Sequence, residues 1–348
     1  MFKLNKGDKI AIVSLSSGIL GESFCSHQVD LAKKRLEELG LIPVFMPNSL
    51  KGIKELEANP ILKVEDLIKA FSDKTIKGII TAIGGVDTYK TVEYILENKE
   101  YVDIIKNNKK FFMGYSDTTT NHLMLNKLGL SSFYGQSILT DISELDLDML
   151  EYSKNALYNL FTENEFIYSP SKYWYEERKD FSKKQLNIPR VKHKELRGYE
   201  LLKGNKVFSG RLIGGCIESI CRYLDEKNFS DVYLVNSKYG IIPKDNKEKI
   251  VFLETSENKI SKEQLKFNLE LLKEYGFFDN INGLLIGKPQ DEMYYEEYKK
   301  VYLEVFKDRD INIAYNLNFG HSYPHMIMQY DAMCHVDLEN NKIKIGRI

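Results

Sequence analysis

Long apolar runs are missing from this chain. The longest stretch without Asp, Glu, Lys or Arg is Ile311–Tyr330, and it carries three asparagines, two histidines and a proline. A bilayer would reject such a segment, so no membrane partner is expected. Net charge is also missing: 49 Lys and Arg against 50 Asp and Glu leave −1 over 348 residues. That balance lacks the broad basic field that holds a nucleic acid polymer, so none is expected as a partner. Cysteine is scarce. Cys25, Cys216, Cys221 and Cys334 form no C-x-x-C and no zinc spacing, which leaves reduced, buried thiols in a cytoplasmic protein as the expectation. Internal repeats and low-complexity tracts are lacking as well. The opening MFKLNKGDKIAIVSL has a short apolar run, but Lys9 abuts it and no clear small-residue cleavage site follows. It reads as a strand and not as a secretory leader.

The residues that are present describe a globular chain. Apolar residues make up 43% and charged residues 28%, and the length allows two domains. The first half alternates strand and helix. Lys9–Ser14, Ile42–Met46, Lys77–Ile83 and Lys110–Tyr115 are apolar runs bounded by turn residues. Ser26–Leu39, Ile61–Phe71, Thr88–Glu97 and Asp117–Leu128 have helical spacing, and residues 141–165 extend the pattern. This order predicts an α/β fold with a doubly wound parallel sheet, in which ligands sit at the carboxyl ends of the strands. Residues 166–206 show no period and hold the only tryptophan, Trp174. They are expected to form an interdomain connection and surface loop. Strands at Val207–Ile213, Lys249–Glu254, Gly283–Gly287 and Ile311–Leu317 then alternate with helices at Cys216–Leu224, Lys262–Tyr275 and Tyr294–Phe306. The last residues read as a hairpin around Glu339-Asn340-Asn341. The expected domains are 1–165, which carries a candidate nucleophile, and 207–348.

Three segments at strand ends could carry chemistry. In Gly114-Tyr115-Ser116-Asp117-Thr118 a buried strand delivers Ser116 into a helix start, the setting of a nucleophile elbow. Thr118 stands where the usual pattern has glycine, and the local sequence alone favours a helix cap at Ser116 or Asp117. In Val251-Phe252-Leu253-Glu254 an apolar strand ends in a carboxylate, which could equally cap the next helix. In Gly320-His321-Ser322-Tyr323-Pro324-His325 a histidine follows a strand and a turn glycine. Serine, carboxylate and histidine could form a hydrolytic triad in which the acid orients the imidazole that activates the hydroxyl. Gly84-Gly85 exposes backbone N–H groups suited, with that of Asp117, to an oxyanion hole, or else forms an ordinary turn. His321 and His325 have zinc-like spacing, but Pro324 disfavours the helix it needs and no H-E-x-x-H occurs. Gly283–Pro289 is too short for a phosphate loop, with Pro where Ser or Thr would hold magnesium.

Taken together, KGDKIAIVSLSSG, AFSDKTIKGIITAIGGVDTYKTVEYI, FMGYSDTTTNHLML, GRLIGGCIESI, VFLETSE and NLNFGHSYPH resemble the LD-carboxypeptidase family of serine peptidases over nearly the whole chain. The length and the FLETSE form are most similar to the branch that contains the microcin C immunity protein. The resemblance implies an N-terminal α/β domain with the serine, a C-terminal α/β domain with the glutamate and histidine, and an active site between them. It implies a metal-independent, cofactor-free hydrolase with Ser116, Glu254 and His321 as triad, and Gly85 and Asp117 as oxyanion donors. A homodimer is implied too. Gly84, Tyr115, Trp174, Gly215 and Lys288 are candidate substrate contacts. Tyr323 and Gln329-Tyr330-Asp331 depart from the family pattern at positions expected to line the pocket.

Two substrates remain open. A peptidyl- or aminoacyl-nucleotide would need an aromatic platform, which Trp174 could supply. A muropeptide ending in D-alanine would need a cation for its carboxylate, which Lys288 or Arg211 could supply. The resemblance favours the nucleotide. A reading of another class is a non-catalytic small-molecule binding protein.

Overall fold

Runs rich in β-branched residues such as KIAIV and IKGIIT are apolar at most positions of both faces, so they form strands where helices cover both sides of a sheet. The computed structural model, which describes residues 3–348, meets that requirement. The chain divides into two units. One comprises the chain up to Glu163 together with Arg178–Pro189, and the other comprises Asn164–Glu177 and Arg190–Ile348.

The first unit contains β1 (Lys9–Val13), β2 (Ile42–Phe45), β3 (Ile76–Thr81), β4 (Phe111–Gly114) and β5 (Phe133–Tyr134). They are parallel and lie side by side as β5-β4-β3-β1-β2. The helices are α1 (Ser26–Glu38), α2 (Ile53–Ala58), α3 (Ile61–Ser72), α4 (Tyr89–Leu96), α5 (Lys99–Asn107), α6 (Thr119–Lys127) and α7 (Glu151–Thr162). Strand order reverses at the β1/β3 neighbour pair. In doubly wound sheets this switch point opens the crevice where ligands bind, and here it is framed by Ser16-Ser17 after β1 and Gly84-Gly85 after β3. The long helix expected over 141–165 is shorter: a π-helical turn at Ile138–Ile142, in which Asp141 accepts the Ser137 N–H at 3.1 Å, is followed by irregular chain to α7 at Glu151. The helix expected from Asp117 begins as a 3-10 turn, Ser116–Thr118, before α6.

The second unit holds β6 (Glu165–Tyr168), β7 (Tyr173–Tyr175), β8 (Lys192–Lys194), β9 (Glu200–Lys203), β10 (Val207–Cys216), β11 (Lys249–Glu254), β12 (Gly283–Gly287), β13 (Asn312–Leu317), β14 (Met328–Gln329), β15 (Met333–Asp337) and β16 (Lys342–Gly346). Eight of them form one sheet, β6-β16-β15-β10-β11-β12-β13-β9. Its centre, β10 to β13, is parallel and its flanks are antiparallel. The helices are α8 (Ile217–Cys221), α9 (Ser230–Tyr239), α10 (Lys262–Tyr275) and α11 (Tyr295–Val305). Ser261 caps α10 by accepting the Gln264 N–H, and Gly276 ends it in the left-handed conformation. Residues 166–206, aperiodic in sequence, contain most of β6 and all of β7 to β9. β7 and β8 form a two-stranded antiparallel sheet with Trp174 opposite His193, and Tyr175 at the end of β7 also bridges to Tyr323.

Candidate active site

In the first unit the functional side chains follow from one sharp turn. β4 is buried throughout and ends at Gly114, and the chain turns through Tyr115 into the 3-10 turn at Ser116–Thr118 that leads into α6. Ser116 takes the strain, with φ at 62°, a conformation that non-glycine residues seldom adopt. Its N–H donates to the Tyr134 hydroxyl at 3.2 Å, and Thr119 Oγ1 donates to its carbonyl at 2.6 Å. The Ser116 side chain lies against Gly84: a Cβ on that glycine would sit 2.7 Å from Ser116 Oγ and 3.2 Å from the Asp117 nitrogen. Gly84, Gly85, Tyr115, Ser116 and Asp117 are therefore gathered at the carboxyl ends of β3 and β4. Asp117 is buried, and its carboxylate accepts from Ser16 Oγ at 2.6 Å and from the Thr88 N–H at 2.9 Å. Tyr115 is buried too and meets Tyr134 edge to face.

In the second unit Glu254 closes β11, and His321 follows β13 across Asn318-Phe319-Gly320. His321 Nδ1–H donates to Glu254 Oε2 at 2.7 Å, and the same oxygen accepts the His321 backbone N–H at 3.2 Å. The carboxylate thus fixes both the tautomer and the ring orientation. His321 Nε2 lies 3.0 Å from Glu257 Oε2, a carboxylate whose side chain is 51% exposed. Burial disfavours the charged imidazole, but the charge and hydrogen bonds of Glu254 and Glu257 outweigh it, so the His321 pKa stands well above its ordinary value. The hydrogen bond to His321 holds the Glu257 carboxyl down at about 2. The sequence assigns Glu257 no role. It lies in a loop, where no periodicity links position to orientation.

Cys216, Glu254 and His321 bring one donor atom each within 4.8 Å of one another and are the described residues that could hold a metal ion. Cys216 ends β10 and pairs across the sheet with Glu254. Burial first, then the charges of Glu218 and Glu254, push its thiol well above its ordinary value. Glu254 and His321 already spend donor atoms on each other. Gly215 precedes Cys216 in β10.

Trp174 and Lys288 are brought together. The Lys288 ammonium lies 5.5 Å from the Trp174 ring centroid, and the indole stacks on His193 at 4.2 Å. Lys288 is buried and held by Glu195 at 2.9 Å and Glu292 at 2.6 Å, so its charge is already balanced by two carboxylates. Arg211 is exposed and donates to the Asp331 carbonyl. His325 is buried, and its ring stacks on Tyr323 at 4.7 Å.

Comparison with known proteins places this fold and these segments in one class. The family model for the LD-carboxypeptidase N-terminal domain matches residues 10–135, and that for the LD-carboxypeptidase C-terminal domain matches residues 209–336. The chain belongs to the LD-carboxypeptidase family, peptidase family S66. Among its relatives, an MccF-like protein from Streptococcus pneumoniae, crystallised with AMP, is 45% identical with a TM-score of 0.93, over 98% of this chain and 99% of that one. A putative carboxypeptidase of Treponema pallidum (strain Nichols) is 25% identical, over 98% of this chain and 93% of its own. The microcin C7 self immunity protein MccF, solved with aspartyl sulfamoyl adenosine, shares the fold at 18% identity and a TM-score of 0.81, over 99% of this chain and 98% of that one.

Proposed function

We propose that the chain is a serine carboxypeptidase that hydrolyses a carboxy-terminal amide or amide-like bond of aminoacyl- or peptidyl-nucleotide compounds. Ser116 Oγ attacks the scissile carbonyl, and His321 Nε2 takes its proton. The Gly85 and Asp117 N–H groups hold the oxyanion. His321 then gives the proton to the leaving nitrogen, and an acyl-Ser116 ester remains. Water, deprotonated by His321, releases the acid and restores the serine. Glu254 orients the imidazole and stabilises its charged form. Each oxyanion donor is expected to supply about 3 kcal/mol of barrier lowering.

The observation that supports the hydrolase reading is the buried Glu254–His321 contact at 2.7 Å, made through Nδ1, which assigns proton transfer to Nε2, the nitrogen that faces Glu257 at 3.0 Å. The nucleotide is favoured by the Streptococcus pneumoniae relative crystallised with AMP and by an aromatic platform at Trp174. Lys288, already balanced by Glu195 and Glu292, supports less well the free cation that a muropeptide carboxylate would need.

A paired mass-spectrometric assay tests both points. Wild type and Ser116→Ala each meet aspartyl sulfamoyl-adenosine and a muropeptide tetrapeptide. Release of sulfamoyl-adenosine is expected from wild type and is expected to fall at least about 10⁴-fold in Ser116→Ala. Serine-dependent release of D-alanine alone would instead make the chain a murein LD-carboxypeptidase. Turnover that survives Ser116→Ala would end the serine assignment.

A further inference from the structure

The turn after β1 carries a buried serine for which the proposed reaction has no direct use. Ser16 is 1% exposed. Its Oγ donates to Asp117 Oδ2 at 2.6 Å and receives the Asp87 backbone N–H at 3.4 Å. The same oxygen presses on Gly85. That residue has φ at 148°, and a Cβ there would lie 2.4 Å from Ser16 Oγ. One hydroxyl thus touches both residues whose backbone N–H groups are assigned to the oxyanion.

Behind it stands an ion pair. Lys63, from the first turn of α3, has no side-chain exposure and donates to both oxygens of Asp87 at 2.8 Å. Asp87 in turn follows Gly85 by two residues. A buried ion pair is weak evidence for stability, because desolvation consumes most of its attraction. What it does supply is fixed geometry. α3, the turn after β3, the turn after β1 and the serine turn are joined through Lys63, Asp87, Ser16 and Asp117.

Two N–H donors stabilise a developing oxyanion only when both are aimed, within a few tenths of an ångström, at the point where its charge appears. We propose that Ser16, anchored by the buried Lys63–Asp87 pair, is a positioning residue that sets the spacing of the Gly85 and Asp117 donors. The proposal rests on the serine-hydrolase reading above. It does not depend on which substrate is cleaved.

The test is the rate at which an alkyl fluorophosphonate labels Ser116 in the full chain. In that step Ser116 Oγ forms a bond to phosphorus, fluoride leaves, and the serine proton passes to His321. The phosphoryl oxygen borrows the oxyanion donors, so the maximal labelling rate reads their alignment. Ser16→Ala is expected to lower that rate about 10–100-fold, with the half-saturating probe concentration changed less than twofold. Asp87→Asn, which keeps the shape and removes the anchoring charge, is the second variant and is expected to lower it about tenfold. Lys63→Arg is expected to recover more of the rate than Lys63→Met. Thermal melting of each variant is measured alongside. A variant that melts lower but labels at the wild-type maximal rate would reduce Ser16 to a structural role and overturn the proposal, as would a change confined to the half-saturating concentration. Wild-type protein not labelled at Ser116 would remove the hydrolase reading itself, an outcome distinct from either.

Discussion

At the scale of single residues, His321 poses an electrostatic problem. Both of its nitrogens face carboxylates, Glu254 on Nδ1 and Glu257 on Nε2. A hydrogen bond from Nε2 to Glu257 exists only while Nε2 carries a proton, and a doubly protonated imidazole cannot serve as a base. Glu257 therefore favours the resting, charged form. Its replacement in Glu257→Gln removes one of the two charges that raise the His321 pKa. The neutral base should then persist to lower pH, and the acid limb of kcat/KM is expected to move to lower pH. An unmoved limb would mean that Glu254 alone sets the protonation state. The Cys216–Glu254–His321 group makes a second prediction. Dialysis against EDTA is expected to leave activity within about twofold, since the Nδ1–Glu254 hydrogen bond uses the same atoms that a metal would need. Loss restored by zinc would reassign the three as ligands. Ser116, Glu254 and His321 stand out in the sequence because each ends a buried strand or follows one closely. Glu257 and Ser16 do not, since their contacts depend on loop conformation and on partners far away in the chain.

At the scale of elements, α6 is tied to β4 by a buried histidine. His122 Nε2 pairs with the Gly114 carbonyl at 2.9 Å and Nδ1 with Ser132 Oγ at 2.7 Å. A neutral ring satisfies both, donating from Nε2 and accepting at Nδ1. Burial pushes the His122 pKa down to about 4 from an ordinary value of 6.5. The unfolded chain therefore binds the proton first as pH falls. Stability is expected to decline between about pH 6.5 and 4, by at most about 3 kcal/mol. Urea denaturation across that range measures it, and His122→Gln should flatten the slope. Because Gly114 stands two residues before Ser116, this clasp also steadies the serine turn. The elements most legible in sequence were those buried on both faces: β1, β11 and β12 are continuous apolar runs. α10 matches the helix expected over Lys262–Tyr275, and Ser261 and Gly276 bound it. β7, β8 and β9 did not, for they are short and half-exposed, and their Lys, Glu and Tyr residues carry no alternation. α5 and α9 carry little sequence signal as well, since each buries few residues.

At the scale of the whole molecule, the first unit takes back Arg178–Pro189 after the chain has left it at Glu163. This returning segment supplies Arg178, whose guanidinium donates to Glu144 at 2.5 Å and to the Ile188 carbonyl at 2.8 Å. Both side chains of the pair are buried, at 5% and 1% exposure. Arg178→Met leaves the Glu144 charge without its cation and is expected to cost about 3–5 kcal/mol of unfolding free energy. Adding Glu144→Met should recover much of that loss, and a fully additive pair would refute the coupling. Apolar periodicity outlines each sheet in the sequence, but it cannot show this return, because the returning residues form no regular strand or helix beyond the short turn at Lys183–Gln185.

The returning segment also bears on biosynthesis. A ribosome makes the chain from its amino end, and most of the first unit is complete as sequence once Glu163 has emerged. Its buried Glu144 nevertheless waits for Arg178. Until the tunnel has released that residue, the nascent unit lacks the guanidinium that donates to Glu144 and is expected to be less stable by the several kcal/mol argued above. Synthesis order therefore couples the maturation of the serine-bearing half to the appearance of the first strands of the other. No single cut in the gene would separate the two as independently complete pieces.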